Sequence, residues 1–264
     1  MDWTLDPHAA VPLWRPRDAE RAFVLAFSAR RGGVSPPPRD SLDLGSCTAV
    51  PAADVRENRG RLLAVLGLDP ASLVTAGQVH GSTVRHVSLP GHVPDCDALV
   101  TRTAGLALAV ATADCLALLF TAPGAVAVAH AGWRGTAAGA PLAALRALLA
   151  AADVPASAVR VALGPCIRAC CYEVGPDVAG AFPAAAVQRH GGRLHLDLPA
   201  AARLQLREAG LAEAAISDTE VCTACRPDLC FSYRRDGAAT GRLWGLAALR
   251  GGDATSRRGA GRGL

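Results

Sequence analysis

Residues 104–131 read AGLALAVATADCLALLFTAPGAVAVAHA and form the most apolar stretch of the chain. A membrane-spanning helix would have to cross about 30 Å of hydrocarbon. Asp114 lies at the centre of the stretch, and Pro123-Gly124 divides it into pieces too short for that span. The pattern instead predicts buried strands over 106–111, 116–121 and 125–129, with a tight turn at Pro-Gly.

Patterns on both sides of this stretch predict a mixture of strands and helices. The further predicted strands are 22–28, 73–78, 83–87, 98–101 and 159–163. Helices are predicted over 51–66, 136–151 and 198–209, and Gly67 and Gly210 end the first and the third. Near the C-terminus, 231–235 and 242–249 flank Asp236-Gly237 and predict a β-hairpin. Because clean βαβ units are few, the predicted class is α+β. One domain is expected over 1–250, followed by a disordered Gly/Arg-rich tail over 251–264.

The composition is that of a globular protein without a nucleic-acid-binding signature. Of the 264 residues, 51% are hydrophobic and 19% are charged, and the net charge is only +4. Known nucleic-acid-binding motifs are missing from the sequence, so no nucleic acid is expected as a partner. Residues 1–21 lack an apolar signal segment, and the nine cysteines are therefore expected to be reduced thiols in the cytoplasm. The sequence does not indicate an oligomeric state.

Three segments place a metal-capable side chain at the end of a predicted strand, beside a glycine or a turn. These side chains are His80, Cys115 and His130. Zinc favours imidazole and thiolate ligands, and three protein ligands leave a fourth position for water or substrate. Spacing alone leaves the alternative open that each is an ordinary buried or hydrogen-bonded side chain.

Longer motifs resemble the YfiH-like family, first named for a polyphenol-oxidase (laccase) domain and later described as purine nucleoside phosphorylase. The motifs are GQVHG (77–81), ATADCLALLF (111–120), AVAHAGWRGTAAG (127–139), LGPCIRACCYEVG (163–175), HLDLPAA (195–201) and FSYRRDGAATGR (231–242). The resemblance implies an αββα sandwich, a fold shared with bacterial deamidase toxins that use a Cys–His pair. It also implies that His80, Cys115 and His130 bind zinc, with copper as an alternative at the same site.

The activities implied by the resemblance are phosphorolysis of adenosine, inosine and methylthioadenosine, and deamination of adenosine. Cys115 and His80 are then expected to be catalytic as well as metal-binding. Deamination needs an activated water at C6 of the purine and a carboxylate that shuttles protons. Asp97 and Asp114 are the candidate carboxylates, and either could equally be a structural capping or turn residue.

Phosphorolysis requires an anion site, and several positions are candidates for it. The predicted helix after His130 would present its N-terminal amides to phosphate, and Arg134 would add a bidentate contact unless it pairs with a structural carboxylate. The early loop also matches the family, and Ser28 and Arg30, together with Gln78, are expected to bind substrate. The family commonly has Asn where this chain has Asp43, and a carboxylate there would repel phosphate.

A second metal site is conceivable at Cys222-Thr-Ala-Cys225, with Cys230 nearby. A closed structural zinc site uses four ligands, and no fourth ligand is adjacent in the sequence. We therefore expect buried thiols here.

Three other functions remain open from the sequence. The first is a laccase-type copper oxidase. The chain has seven histidines and no His-x-His pair, which argues against a trinuclear copper cluster, so only an oxidase with a single copper ion stays open. Cys115 activated by His80 or His130 would instead give an amidase-type hydrolase, an activity suited to editing peptidoglycan precursors. A non-catalytic binding module is the third alternative.

Overall fold

A computed structural model describes residues 2–18, 20–45 and 52–251. Over these residues, two large β-sheets stack face to face and helices cover their outer faces. The strands are β1 Trp3–Leu5, β2 Leu13–Pro16, β3 Phe23–Ser28, β4 Leu73–Ala76, β5 Val84–His86, β6 Gly91–Val93, β7 Ala98–Thr101, β8 Ala107–Thr112, β9 Leu116–Ala122, β10 Ala125–Ala131, β11 Arg160–Leu163, β12 Glu173–Val174, β13 Val187–His190, β14 Arg193–Leu196, β15 Ile216–Asp218 and β16 Leu243–Leu249. The helices are α1 Ala53–Leu66, α2 Trp133–Ala137, α3 Ala140–Ala152, α4 Pro176–Ala179, α5 Leu198–Glu208 and α6 Tyr233–Asp236.

The first sheet has seven strands in the order β1-β2-β3-β16-β8-β4-β6. The second has six, in the order β15-β11-β9-β10-β7-β5, and a small third sheet has the order β12-β14-β13. The central pairs are antiparallel, β16 with β3 and β8 and β9 with β10, whereas β11 and β15 run parallel. Strand directions are therefore mixed, as an α+β fold requires.

The alternation of side chains along the strands divides the apolar core into layers. On β8, Leu108 and Val110 face the second sheet, whereas Ala107 and Ala109 pack in the same cluster as Leu62 of α1. The outward side chains of β9 and β10 pack in a third cluster with α3 and α5. The layers are thus α1, the first sheet, the second sheet, and α3 with α5, which confirms the predicted αββα sandwich in a single domain.

The apolar stretch 104–131 forms the centre of this sandwich. It contains β8 of the first sheet and β9 and β10 of the second, so the chain crosses between the sheets at 113–115. A turn at Pro123-Gly124 joins β9 to β10, with Ala122 opposite Ala125. No helix in the described part of the chain is long and apolar enough to cross a membrane. The crossing carries Cys115 to the end of both sheets.

The helix predicted over 136–151 is confirmed from Ala140 onwards by α3, but its predicted start is wrong, because a separate short helix, α2, ends at Ala137. Gly139, between them, has φ of 82°, a left-handed conformation that glycine adopts without steric cost. Pro141 lies in the first turn of α3, where its missing N–H is not needed. The segment after His130 is consequently the five-residue α2, so the long-helix N-terminus expected to bind phosphate does not form at this position.

The predicted hairpin near the C-terminus is also wrong, because only its second half is a strand. Residues 233–236 form α6, and the Ser232 hydroxyl accepts a hydrogen bond from the Arg235 amide at 3.3 Å as its N-cap. Strand β16 pairs with β3 and β8 instead, and its apolar residues are buried on both faces.

The other predicted strands and helices are confirmed, with shifts of at most two residues at their ends. Gly67 ends α1 in the left-handed conformation, with φ of 67°, as its position predicts. Apart from Gly251, the tail predicted over 251–264 lies outside the described residues, as does Pro51 at the start of the first predicted helix.

Candidate functional site

The structure brings His80, Cys115 and His130 together at one end of the two sheets. Their ligand atoms all lie within 4.8 Å of one another. The two imidazoles meet edge to face, with ring centroids 4.9 Å apart and an interplanar angle of 84°. His130 is buried in β10, Cys115 is half-buried at the crossing between the sheets, and His80 is exposed on the loop after β4. Together they offer a set of ligand atoms that could hold a metal ion, and they are called the metal-binding triad below.

Asp97 holds two members of the metal-binding triad in place. Its Oδ1 atom accepts hydrogen bonds from the His80 amide and from Nδ1 of His130, both at 2.9 Å. Its Oδ2 atom accepts from the Gly81 amide at 2.7 Å, and its main-chain oxygen accepts from the His130 amide at 2.8 Å. Asp97 is fully buried. A carboxylate bonded to one ring nitrogen fixes the tautomer and leaves Nε2 of His130 for a metal.

The backbone around the metal-binding triad adopts conformations that few residues tolerate. Gln78, His80 and Asp114 have φ of 58°, 62° and 98°, in the left-handed region. Hydrogen bonds help to hold this backbone in place. The side-chain amide of Gln78 donates to the main-chain oxygen of Ala111 at 2.6 Å, and its Oε1 atom accepts from the Ala111 backbone amide at 2.8 Å. Such strained positions cluster at functional sites, where the surrounding structure holds them.

Gly132 has no side chain, and this leaves room for the side chains of the metal-binding triad. A Cβ atom at this position would lie 2.8 Å from Sγ of Cys115 and 3.2 Å from Cδ2 of His80. Any larger residue would therefore displace a ligand atom, which is a packing reason for glycine in the HAGWRG motif.

The electrostatics of the site favour a charged Cys–His pair. Burial alone would raise the pKa of the Cys115 thiol, but the charge of His130 and hydrogen bonds from both imidazoles lower it to about 6. Burial would lower the pKa of His130, yet the Cys115 charge and the Asp97 carboxylate raise it to about 9. A thiolate held beside imidazole nitrogens can bind a metal or act as a nucleophile.

A cavity of about 720 Å³ opens onto the metal-binding triad. Its aromatic lining consists of Trp133, Tyr172 and Tyr233, and its charged lining includes Arg134, Arg234 and Arg242. Arg134 lies over the Trp133 ring at 4.4 Å and Arg234 over the Tyr172 ring at 5.1 Å. The cavity thus combines flat aromatic surfaces with positive charge.

The structure separates the predicted substrate residues into two groups. Gln78 and Arg134 line the cavity, as does Asp114, one of the two candidate catalytic carboxylates. Ser28 and Arg30 lie away from that lining: the buried Ser28 hydroxyl accepts from the Trp244 amide at 2.9 Å, and Arg30 stacks on Phe231 and donates to the Asp40 oxygen.

Both oxygens of the Asp114 carboxylate accept hydrogen bonds that tie it to a neighbouring loop. Thr223 donates its hydroxyl to Oδ1, and the Arg234 amide donates to Oδ2, each at 2.6 Å. Asp43 has a comparable role outside the cavity, because its Oδ1 accepts from the Gly45 amide at 2.9 Å and from the Arg242 amide at 2.8 Å. The carboxylate at position 43 therefore holds the backbone of a cavity arginine.

Sequence reasoning missed Tyr172, Tyr233 and Arg242 as residues of the cavity. All three lie within the motifs that carry the family resemblance, which was the available signal. Of the neighbouring pair Arg234 and Arg235, only Arg234 lines the cavity, whereas Arg235 donates to main-chain oxygens of Thr223 and Cys230.

Of the three cysteines expected to be buried thiols, Cys222 and Cys230 are buried, whereas Cys225 is exposed. Cys170 and Cys225 are exposed, Cys171 is half-buried, and Cys222 is buried. Their four sulfur atoms lie within 4.8 Å of one another, so Cys222 and Cys225 have two further metal-capable side chains beside them that are distant in the sequence.

The chain matches, over residues 24–250, the family described as multi-copper polyphenol oxidoreductase laccase. It belongs to this laccase-domain, or YfiH-like, family. A Deinococcus radiodurans protein named purine nucleoside phosphorylase is 40% identical over 235 residues, which cover 86% of this chain and 90% of that protein. Purine nucleoside phosphorylase SCO2081 of Streptomyces coelicolor is 41% identical over 242 residues, covering 88% of this chain and 98% of the relative.

Solved structures share the fold over nearly the whole chain. YlmD from Geobacillus stearothermophilus superposes with a TM-score of 0.84 at 33% identity, covering 90% of this chain and 96% of that one. Bacillus licheniformis YfiH gives a TM-score of 0.84 at 28% identity, with 93% and 99% covered. The resemblance inferred from the motifs is confirmed.

Proposed function

We propose that this protein is a zinc-dependent purine nucleoside enzyme that cleaves nucleosides with phosphate and deaminates adenosine. The observation that carries the proposal is the cavity, which combines the metal-binding triad with three aromatic side chains and three arginines. The names of the relatives, purine nucleoside phosphorylase, support the same chemistry.

The metal-binding triad fits zinc by its donor chemistry. One thiolate and two imidazoles are ligands that zinc prefers, and three of them leave one position open for catalysis. The carboxylate of Asp97 on His130 supplies the hydrogen bond that zinc-binding histidines usually make. A zinc ion bound there would act as a Lewis acid towards water or a substrate oxygen. If copper bound the same three ligands in place of zinc, the site would instead be suited to oxidase chemistry.

In phosphorolysis, a phosphate oxygen forms a bond to C1′ of the ribose while the C1′–N9 bond to the purine breaks. The base leaves with the bonding electron pair and takes up a proton, and ribose 1-phosphate is the second product. Arg134 and Arg234, two exposed residues of the cavity lining, would bind the phosphate through charge-assisted hydrogen bonds. Trp133 and Tyr233 would pack against the purine, because each offers an apolar ring with little conformational freedom.

In deamination, water adds at C6 of adenosine, ammonia leaves, and inosine is formed. We assign Asp97 to this step as a positioning residue that acts through His130, because its oxygens accept hydrogen bonds inside the protein. Asp114 lines the cavity, but its two oxygens accept hydrogen bonds from the Thr223 hydroxyl and the Arg234 amide. We therefore assign Asp114 as a second positioning residue. Cys115 and His80 remain ligands in both reactions.

The test incubates metal-quantified protein with adenosine, with and without phosphate, and separates the products by chromatography. The proposal expects inosine in both samples, and adenine with ribose 1-phosphate only when phosphate is present. A Cys115→Ala variant, folded by circular dichroism, is expected to lose both activities. Formation of no inosine, hypoxanthine or adenine by the zinc-loaded protein would remove the nucleoside assignment.

A second candidate is an amidase-type hydrolase in which Cys115 is the nucleophile. The observation in its favour is the lowered pKa of Cys115 beside His130. Metal content separates the two functions, because a ligating thiolate cannot attack a substrate. Iodoacetamide would label Cys115 at the same rate with and without zinc if the thiol is free, and only in the zinc-depleted protein if it is a ligand.

A further inference from the structure

A second cluster of metal-ligating side chains lies outside the metal-binding triad. Among the described residues, Cys170, Cys171, Cys222 and Cys225 place their four sulfur atoms within 4.8 Å of one another. Sγ of Cys225 lies 3.3 Å from Sγ of Cys171 and 3.7 Å from Sγ of Cys170. These four residues are called the four-cysteine cluster below.

The sheet brings the two halves of the four-cysteine cluster together. Strands β11 and β15 are parallel neighbours, so the loops that follow them emerge at the same edge. An isolated bridge between Cys166 and Cys222 extends this pairing: the Thr223 amide donates to the Cys166 oxygen at 3.0 Å, and the Cys166 amide donates to the Val221 oxygen at 3.2 Å. Backbone hydrogen bonds therefore position the sulfur atoms before any ion binds.

Two local turns aim the sulfur atoms at one point. In the first loop, the Cys171 and Tyr172 amides donate to the Arg168 oxygen at 2.8 and 2.9 Å, which closes a tight turn around the adjacent cysteines. In the second, the guanidinium of Arg235 donates to the main-chain oxygens of Thr223 and Ala224 at 2.9 and 3.2 Å. The Cys-x-x-Cys spacing of the second loop is a usual one for structural zinc sites.

The distances between the sulfur atoms suit four ligands arranged tetrahedrally around one metal ion, and they are too long for a disulfide bond. With zinc–sulfur bonds of about 2.3 Å, the edges of a tetrahedron of four sulfur atoms are about 3.8 Å. A disulfide would require about 2.05 Å. The observed separations lie around the tetrahedral edge. A site of four thiolates with tetrahedral geometry selects zinc or iron, and zinc is the usual ion of closed structural sites.

The geometry points to a second, structural metal site in which Cys170, Cys171, Cys222 and Cys225 bind one Zn²⁺. This ion fixes two loops, of which the first lines the cavity through Ile167 and Tyr172. Tyr172 follows Cys171 directly and lines the cavity, and Thr223, between the other two cysteines, donates to Asp114 beside Cys115. The ion would thus stabilise the cavity wall without contacting substrate.

The first test measures the zinc content of the full chain purified without chelators. We expect about two zinc ions per chain in the wild type and about one in Cys170→Ser and in Cys225→Ser, because each closed site binds one ion. Both variants replace exposed side chains, so the fold should be retained. Cys230→Ala, on the same segment but outside the cluster, is the matched control and should retain both ions. Cys115→Ser should lose the other ion and keep this one.

The second test uses the wild-type protein and does not depend on any variant folding. Zinc should protect the exposed thiols of Cys170 and Cys225 from alkylation, and a chelator should restore their reactivity, as read by peptide mass mapping. Cobalt bound to Cys115→Ser should give the charge-transfer absorption of a tetrahedral thiolate site. Unchanged zinc content in Cys225→Ser, a Cys171–Cys225 disulfide in the zinc-loaded chain, or iron in place of zinc would overturn the proposal.

Discussion

The carboxylate of Asp97 lies 2.9 Å from Nδ1 of His130, and it also accepts the amide hydrogens of His80 and Gly81. One buried side chain therefore orients an imidazole and shapes the loop that carries a second imidazole. Because the imidazole of His130 is held through Nδ1, Nε2 is the atom available to a metal. Removal of the Asp97 charge should loosen the metal-binding triad without unfolding the sheets.

We expect Asp97→Asn to weaken zinc binding at the metal-binding triad by about 10- to 100-fold, the usual effect of losing such a partner. Competition with a zinc chelator, in a Cys225→Ser background, measures this affinity for one site alone. Asp43→Asn is the matched control, since Asp43 is also a buried carboxylate that accepts backbone amides but lies outside the cavity. Equal affinities for the two variants would show that Asp97 is an ordinary structural acid.

Gly132→Ala should abolish zinc binding at the metal-binding triad, because the new Cβ would lie 2.8 Å from Sγ of Cys115. The contact is with a ligand atom at the site, so far-ultraviolet circular dichroism should still report the wild-type fold. Gly60→Ala in α1 is the control, since no atom lies within 4 Å of its new Cβ. That control should keep its zinc and gain about 0.5–1 kcal/mol of stability from helix propensity. A Gly132→Ala protein with full zinc content would contradict the packing argument.

Arg134→Gln should raise the KM for phosphate by about 10- to 150-fold, because a hydrogen bond to a charged group contributes about 1.5–3 kcal/mol and each 1.4 kcal/mol corresponds to about a factor of ten. The Arg134 side chain is exposed and rests on Trp133, so its loss should leave the free energy of unfolding nearly unchanged. Steady-state phosphorolysis at varied phosphate measures the effect. Arg61→Gln on α1 controls for the loss of one positive charge. If both variants have the wild-type KM, Arg134 does not bind phosphate.

The fold was accessible from local signals in the sequence, whereas the grouping of His80, Cys115 and His130 was predicted from the family resemblance of the motifs that contain them. The apolar stretch 104–131 has the length and turn residues of strands, and His80, Cys115 and His130 lie at or near strand ends within long motifs. The split of the predicted helix was readable in part, because Gly139 and Pro141 stand where one helix ends and another begins. The Ala-rich composition around them favoured a continuous helix and concealed the break.

Features that depend on distant pairing were not accessible in the same way. Cys170 and Cys225 are 55 residues apart in the sequence, and they meet only because β11 and β15 are parallel neighbours. A search for ligands adjacent to Cys222 could not find them. Similarly, the turn residues Asp236-Gly237 favoured a hairpin in the sequence. In the structure, Ser232 caps the short helix α6, and β16 pairs with the distant strands β3 and β8.

Anomalous diffraction from crystals of the zinc-loaded protein, recorded on both sides of the zinc absorption edge, would locate every bound zinc ion. The metal-binding triad predicts a peak about 2.0–2.3 Å from Sγ of Cys115, Nε2 of His130 and a ring nitrogen of His80. The absence of a peak there, with zinc present elsewhere in the same crystal, would contradict the assignment of these three residues as ligands.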